Sequence, residues 1–122
     1  LESVALDGTY ASVIGGGPAA AVVFPGMVRR RTNADERVQE MRAALKTAEP
    51  RNRAACQARY EATYREVEAS MQRDVANEFD AIHTVSRAKE VGSLSDVLQA
   101  ATLRSSLCKR LDDSVRKYKQ NT

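Results

Sequence analysis

The most regular pattern in the chain is an apolar stripe between residues 60 and 82. Tyr60, Tyr64, Val67, Met71, Val75, Phe79 and Ile82 recur at spacings of three and four, the period that places side chains on one helix face. Residues 51–91 contain neither glycine nor proline, so one long helix is expected across them. A shorter stripe, Val38, Met41 and Leu45, predicts a helix over residues 34–48. Asn33 and Glu36 are spaced to form its capping box, and Pro50 stops it. Leu103, Leu107, Leu111, Val115 and Tyr118 predict a last helix, capped by Thr102, with Arg116, Lys117 and Lys119 at the end where cations suit the dipole. A narrow stripe on so long a central helix needs cover, from the helix over 34–48 or from another chain. Tyr64, Val67, Met71 and Val75 form its middle and are the expected interface residues. Burying each large side chain contributes about 1.5–3 kcal/mol before the entropy of ordering it.

The first third of the chain follows a different pattern. Residues 9–14 are rich in β-branched and aromatic side chains, which predicts a strand. Gly15, Gly16 and Gly17 follow, and Pro18 fits the first turn of a helix, where its missing N–H is no loss. That helix is expected over residues 18–31. Pro25-Gly26 falls inside it, and an interior proline costs about 3 kcal/mol, so a kink or two helical pieces are expected. Near the other end, Gly92 suits the residue after a helix, and residues 93–98 read as a short edge strand. One strand near residue 10 and one near residue 95 make too small a sheet to stand alone. On this reading the chain is the end of a larger domain.

Composition narrows the setting. The 122 residues are 43% hydrophobic and 29% charged, with 5% aromatic and no Trp, which excludes disorder and leaves a core of Val, Ile, Leu, Met and Ala. The formal charge is +3, from 19 bases against 16 acids. The tyrosines do not interleave with a basic stripe, so a nucleic-acid surface is not indicated. Cys56 and Cys108 are distant and match neither a disulfide framework nor a zinc motif. With no long apolar window and no leader pattern, a cytoplasmic or organelle-matrix protein is expected.

Candidate chemistry is sparse. The triple glycine lacks the Lys-Ser/Thr of a P-loop, and Ala20 stands where the dinucleotide fingerprint needs its third glycine. Gly15, Gly16, Gly17 and Ala19 therefore admit two readings: a tight strand-to-helix corner, or amides at a helix start facing a polar or anionic ligand. His83, Cys56 and Cys108 have no partner placed to form a nucleophile pair, and the carboxylates scatter three and four residues from bases as surface pairs do. No side-chain acid–base machinery and no metal site are indicated.

Two segments together resemble a known family. Ser12-Val13-Ile14-Gly15-Gly16, with the alanine-rich stretch to Phe24, is similar to the strand–glycine–helix near the end of the carboxyltransferases of biotin-dependent acyl-CoA carboxylases. VANEFDAIHTVSRAKEVGSLSDVLQAATLRSSLCKRLDD, residues 75–113, resembles the closing segment of the same family. The matching positions are Ala88, Gly92, Asp96-Val97-Leu98 and Thr102-Leu103-Arg104. A charged helical insert and a Phe-Asp-x-x-His segment look most like the multidomain or long-chain type. The sequence departs from the family at Gly17-Pro18, Pro25-Gly26 and Ser93-Leu94-Ser95.

The resemblance implies an α/β, crotonase-like (ββα superhelix) fold of which this chain is a mostly helical C-terminal segment. Residues 1–32 would be the strand–glycine-turn–helix of the carboxyltransferase C-domain. Residues 33–74 would be an inserted helical hairpin, and 75–122 the closing helix–strand–helix. The implied reaction moves CO2 from carboxybiotin to the α-carbon of an acyl-CoA, with backbone amides holding developing oxyanions and the biotin-side amides upstream of this segment. Gly15, Gly16, Gly17 and Ala19 would line or support the pocket. Biotin would ride on a separate domain or subunit, and no cofactor would bind this chain. The implied partners are acyl-CoA, the biotin carboxyl carrier, biotin carboxylase and further copies of the carboxyltransferase, with no nucleic acid or membrane. Alone, the segment is expected to be inactive. Other classes compatible with the residues are a non-catalytic helical assembly module and another crotonase-like enzyme acting on CoA esters.

Overall fold

The computed structural model describes residues 2–122. The described residues form two compact units, residues 13–81 and residues 2–12 with 82–122.

In the first unit a single helical turn, α1 (Gly16–Pro18), widens into a π-type turn at Ala19–Val23, with the Phe24 amide donating to the Ala19 carbonyl at 3.0 Å. Helix α2 (Pro25–Ala34) follows. Pro25 occupies its first turn, where a proline loses no hydrogen bond, so the expected helix over 18–31 is two pieces joined at Phe24. Helix α3 (Glu36–Thr47) is capped by Asp35, whose carboxylate accepts from the Arg37 amide at 3.0 Å. The capping box expected from Asn33 does not form, because Asn33 lies inside α2 and its side-chain oxygen accepts from Arg42 instead, at 2.8 Å. Helix α4 (Arg53–Ile82) is the long element of the chain.

The core of this unit gathers Ala20, Val28 and Val75, with Phe24, Met27, Met71 and Ala76 packed on it. Val38 and Val67 are also fully buried. Among the described residues Thr32 is the one buried polar side chain, and its hydroxyl donates to the Val28 carbonyl at 2.7 Å, which offsets the cost of placing it there. The Arg42 guanidinium lies 5.9 Å from the Tyr60 ring centroid, so it ties α3 to α4 as well as to Asn33.

In the second unit, β1 (Val4–Leu6) and β2 (Asp96–Leu98) pair in parallel, Val4 opposite Asp96 and Leu6 opposite Leu98. The strand expected over residues 9–14 is not formed. A strand exists where its backbone finds a partner, and that partner, β2, lies against residues 4–6. Asp7-Gly8 turns the chain immediately afterwards, with Gly8 at φ +78°, and Tyr10 makes an isolated bridge, antiparallel to Thr84.

The uninterrupted helix expected to residue 91 is broken at His83 and Thr84. The His83 carbonyl accepts from the Ala11 amide at 2.7 Å. Thr84 then caps α5 (Val85–Glu90), accepting from the Arg87 amide at 3.3 Å. Gly92 takes a left-handed φ of +85° after α5. Helix α6 (Leu103–Gln120) ends the fold. Thr102 precedes it without a side-chain cap, its hydroxyl meeting the Gln99 carbonyl instead. Among the described residues, no helix is long and apolar enough to cross a membrane.

Candidate functional site

The glycine corner is the first place to look for a site, and its geometry separates the three glycines. Gly15 is extended and caps α1. Gly16 is buried, and a Cβ built on it would stand 2.1 Å from the Ala76 carbonyl oxygen and 2.7 Å from Asp80 Oδ2. Only a residue without a side chain lets this turn rest on α4. Gly17 meets nothing within 4 Å, and none of the three has a positive φ.

The amides of the corner are largely committed. The Gly16 amide donates to Asp80 Oδ1 at 2.8 Å, the Ala19 amide donates to the Gly15 carbonyl at 3.1 Å, and Pro18 has no N–H. Helix starts attract anions, and here the anion is the protein's own Asp80 carboxylate. Ala19 is fully buried. Gly16 and Ala19 are therefore packed against the protein itself, Gly16 on α4 and Ala19 within the unit. Gly15 and Gly17 remain at the surface.

The expected interface residues also divide. Val67 and Val75 are buried within their own unit, so that part of the stripe is covered by the chain itself. Met71 packs on the same core, half-buried. Tyr64, half-buried, stacks in tilted fashion on Tyr60 with centroids 6.1 Å apart. These two rings line a surface hollow of about 300 Å³ with Asn33, Glu61 and Arg65.

The Phe-Asp-x-x-His segment has structural work at each position. Phe79 packs on Phe24, centroids 6.2 Å apart, Asp80 holds the Gly16 amide, and the His83 carbonyl holds Ala11. The spacing marks these residues as a group, but only the fold says what they grip.

A second cluster, unexpected from the sequence, centres on Asp96 at the start of β2. Lys89 Nζ donates to Asp96 Oδ1 at 2.8 Å and Arg110 Nη2 to Oδ2 at 2.6 Å. The Val97 amide also donates to Oδ1 at 2.9 Å, and Arg110 pairs in addition with Glu2. The hydrogen bond from Lys89 is the main cause holding the Asp96 carboxyl below the ordinary carboxylate range, followed by the Val97 amide. A groove of about 390 Å³ beside this cluster is lined by both signs of charge, Glu2, Asp96 and Asp113 against Lys109, Arg110 and Lys117. Such pairing positions α6 on the strands. The described residues hold no metal-binding group of three or more His, Cys, Asp or Glu.

Compared with protein-family models, with curated proteins and with solved structures, the chain finds no match.

Proposed function

We propose that this chain is the closing part of a crotonase-like carboxyltransferase domain in a biotin-dependent acyl-CoA carboxylase, in the cytoplasm or an organelle matrix. The observation that carries the reading is how the two segments bearing the resemblance meet. The Gly16 amide reaches Asp80 at 2.8 Å and Phe24 packs on Phe79, although 64 residues separate Gly16 from Asp80. Residues 33–74, read as a helical insert, join this base through α4 and pack Met71 on its core. Support also comes from the order that follows: the left-handed Gly92, the strand Asp96–Leu98 and the helix Leu103–Gln120. A parallel pair only two strands wide gains stability from further strands and from cover on both faces, as a larger α/β domain provides.

In this role the segment buttresses the site and contributes no acid or base. Asp80 holds the corner on α4, and the Asp96 cluster holds α6 on the strands. Catalysis would rest on amides elsewhere in the domain, with acyl-CoA as acceptor, biotin arriving on its carrier, and further copies of the carboxyltransferase completing the assembly. The test uses the native polypeptide carrying this sequence, assayed for ATP-dependent carboxylation of acyl-CoA esters with and without avidin. Carboxylation abolished by avidin is the expected result. CoA-ester turnover indifferent to avidin would point to another crotonase-like enzyme. Absence of any CoA-ester turnover, with no biotinylated companion, would favour the assembly module and sink the carboxylase reading.

A further inference from the structure

The apolar stripe of α6 is largely uncovered. Leu107 is 44% exposed, Leu111 65%, Val115 43% and Tyr118 71%, at spacings of four, four and three. These are the anchor positions of a helix that binds through one face. Leu107 and Leu111 also line a groove of about 300 Å³ with Val4 of β1, Arg110, Glu2 and Ser114, a hollow with room for an inserted side chain.

Charge says what fits there. Helix α6 carries six bases (Arg104, Lys109, Arg110, Arg116, Lys117, Lys119) and two acids (Asp112, Asp113), while the rest of the chain carries thirteen bases and fourteen acids. The whole positive excess of the protein therefore sits on this helix. Helical spacing sets Arg104 and Lys119 along one margin of the stripe and Arg110 and Lys117 along the other. Arg110 is neutralised by Glu2 and Asp96. Among the described residues, Arg104, Lys117 and Lys119 form no ion pair. We propose that the α6 stripe docks an amphipathic protein segment whose apolar side is rimmed by acidic residues.

The alternatives fit less well. A second copy of this helix would bring basic margins against basic margins, and like charges facing each other oppose association. A bilayer offers no side chain to fill the Leu107–Leu111–Val4 groove, and the stripe lacks the Trp and Phe that strengthen interfacial helices. The proposal stands independently of the carboxylase reading.

The test presents the native polypeptide carrying this sequence with two labelled amphipathic helical peptides sharing one leucine face, one rimmed by Glu and the other by Lys. Fluorescence anisotropy should show the Glu-rimmed peptide binding at least about tenfold more tightly, with the preference shrinking as salt rises. Leu111→Asp, at an exposed position, should abolish binding while circular dichroism shows the helix content unchanged. Lys117→Glu with Lys119→Glu should reverse the preference toward the Lys-rimmed peptide, an effect that a folding defect would not produce. Equal binding of both peptides, or binding of neither, overturns the proposal. So does preferential binding to phosphatidylserine vesicles, or a concentration-dependent dimer that Leu111→Asp dissociates, since each assigns the stripe another occupant.

Discussion

At the scale of single residues, the triple glycine resolves into three different positions. Gly16 is required by contact, because a Cβ there would stand 2.1 Å from the Ala76 carbonyl. Gly16→Ala is expected to destabilise the chain by about 1–3 kcal/mol, the usual cost of forcing extra volume into a packed site. Gly17→Ala, in open space, should be near neutral, and urea unfolding of the two variants makes the comparison. Equal midpoints would mean that the corner does not rest on α4 as described. Asp96 supplies the pH counterpart. Lys89 first, then the Val97 amide, holds its carboxyl below the ordinary range in the folded chain. A depressed folded pKa contributes stability above the unfolded value, about 3.9, and loses it as pH falls through the folded value. Urea midpoints taken from pH 6 downward should therefore fall less steeply in Asp96→Asn than in the wild type. Parallel curves would remove Asp96 from the acid response. The site is partly open to solvent, so salt should weaken the difference.

At the scale of elements, the long apolar stripe of α4 is legible from its period, but its uses are not. Val67 is fully buried while Ile82, on the same stripe, is 58% exposed. Val67→Ala should cost about 1–3 kcal/mol through lost burial and a residual cavity, and Ile82→Ala much less. A calorimetric or denaturant comparison that found equal losses would contradict the assigned packing. The break after Ile82 is similarly tertiary in origin. The sequence around His83 and Thr84 carries no glycine or proline, and the helix stops where Ala11 and Tyr10 take up backbone groups of His83 and Thr84. Thr84→Ala removes the α5 cap and should cost about 1 kcal/mol. Had Thr84 been read as a helix start, the break would have been visible in advance, but threonine is also common inside helices, where nothing marks it out.

At the scale of the whole molecule, stability should be uneven. The α4 backbone is bonded internally and backed by a core, whereas β1 and β2 have one neighbour each and short length. Small sheets open readily. Native-state hydrogen exchange should therefore protect amides near Val67 and Val75 far more than those of Val97 and Leu98. Protection of the strands equal to that of α4 would mean that the pair has more support than these two units describe. The charge asymmetry also belongs to this scale, since composition reports only a small net charge and conceals its concentration on α6.

Local physics settled much of this protein without a fold. Periodicity predicts helices over most of α3, α4 and α6. Pro25 restricts where a helix can begin, and Gly92 supplies the left-handed residue after α5, because each property belongs to one residue and its near neighbours. The strand in residues 4–6, the break at His83, the assignment of Asp80 to Gly16 and the gathering of Lys89, Asp96, Arg110 and Glu2 all depend on residues distant in the chain. Pairing across such distances is decided by which backbone groups and charges the packed helices bring within about 3 Å of one another, and a one-dimensional pattern carries no record of that distance.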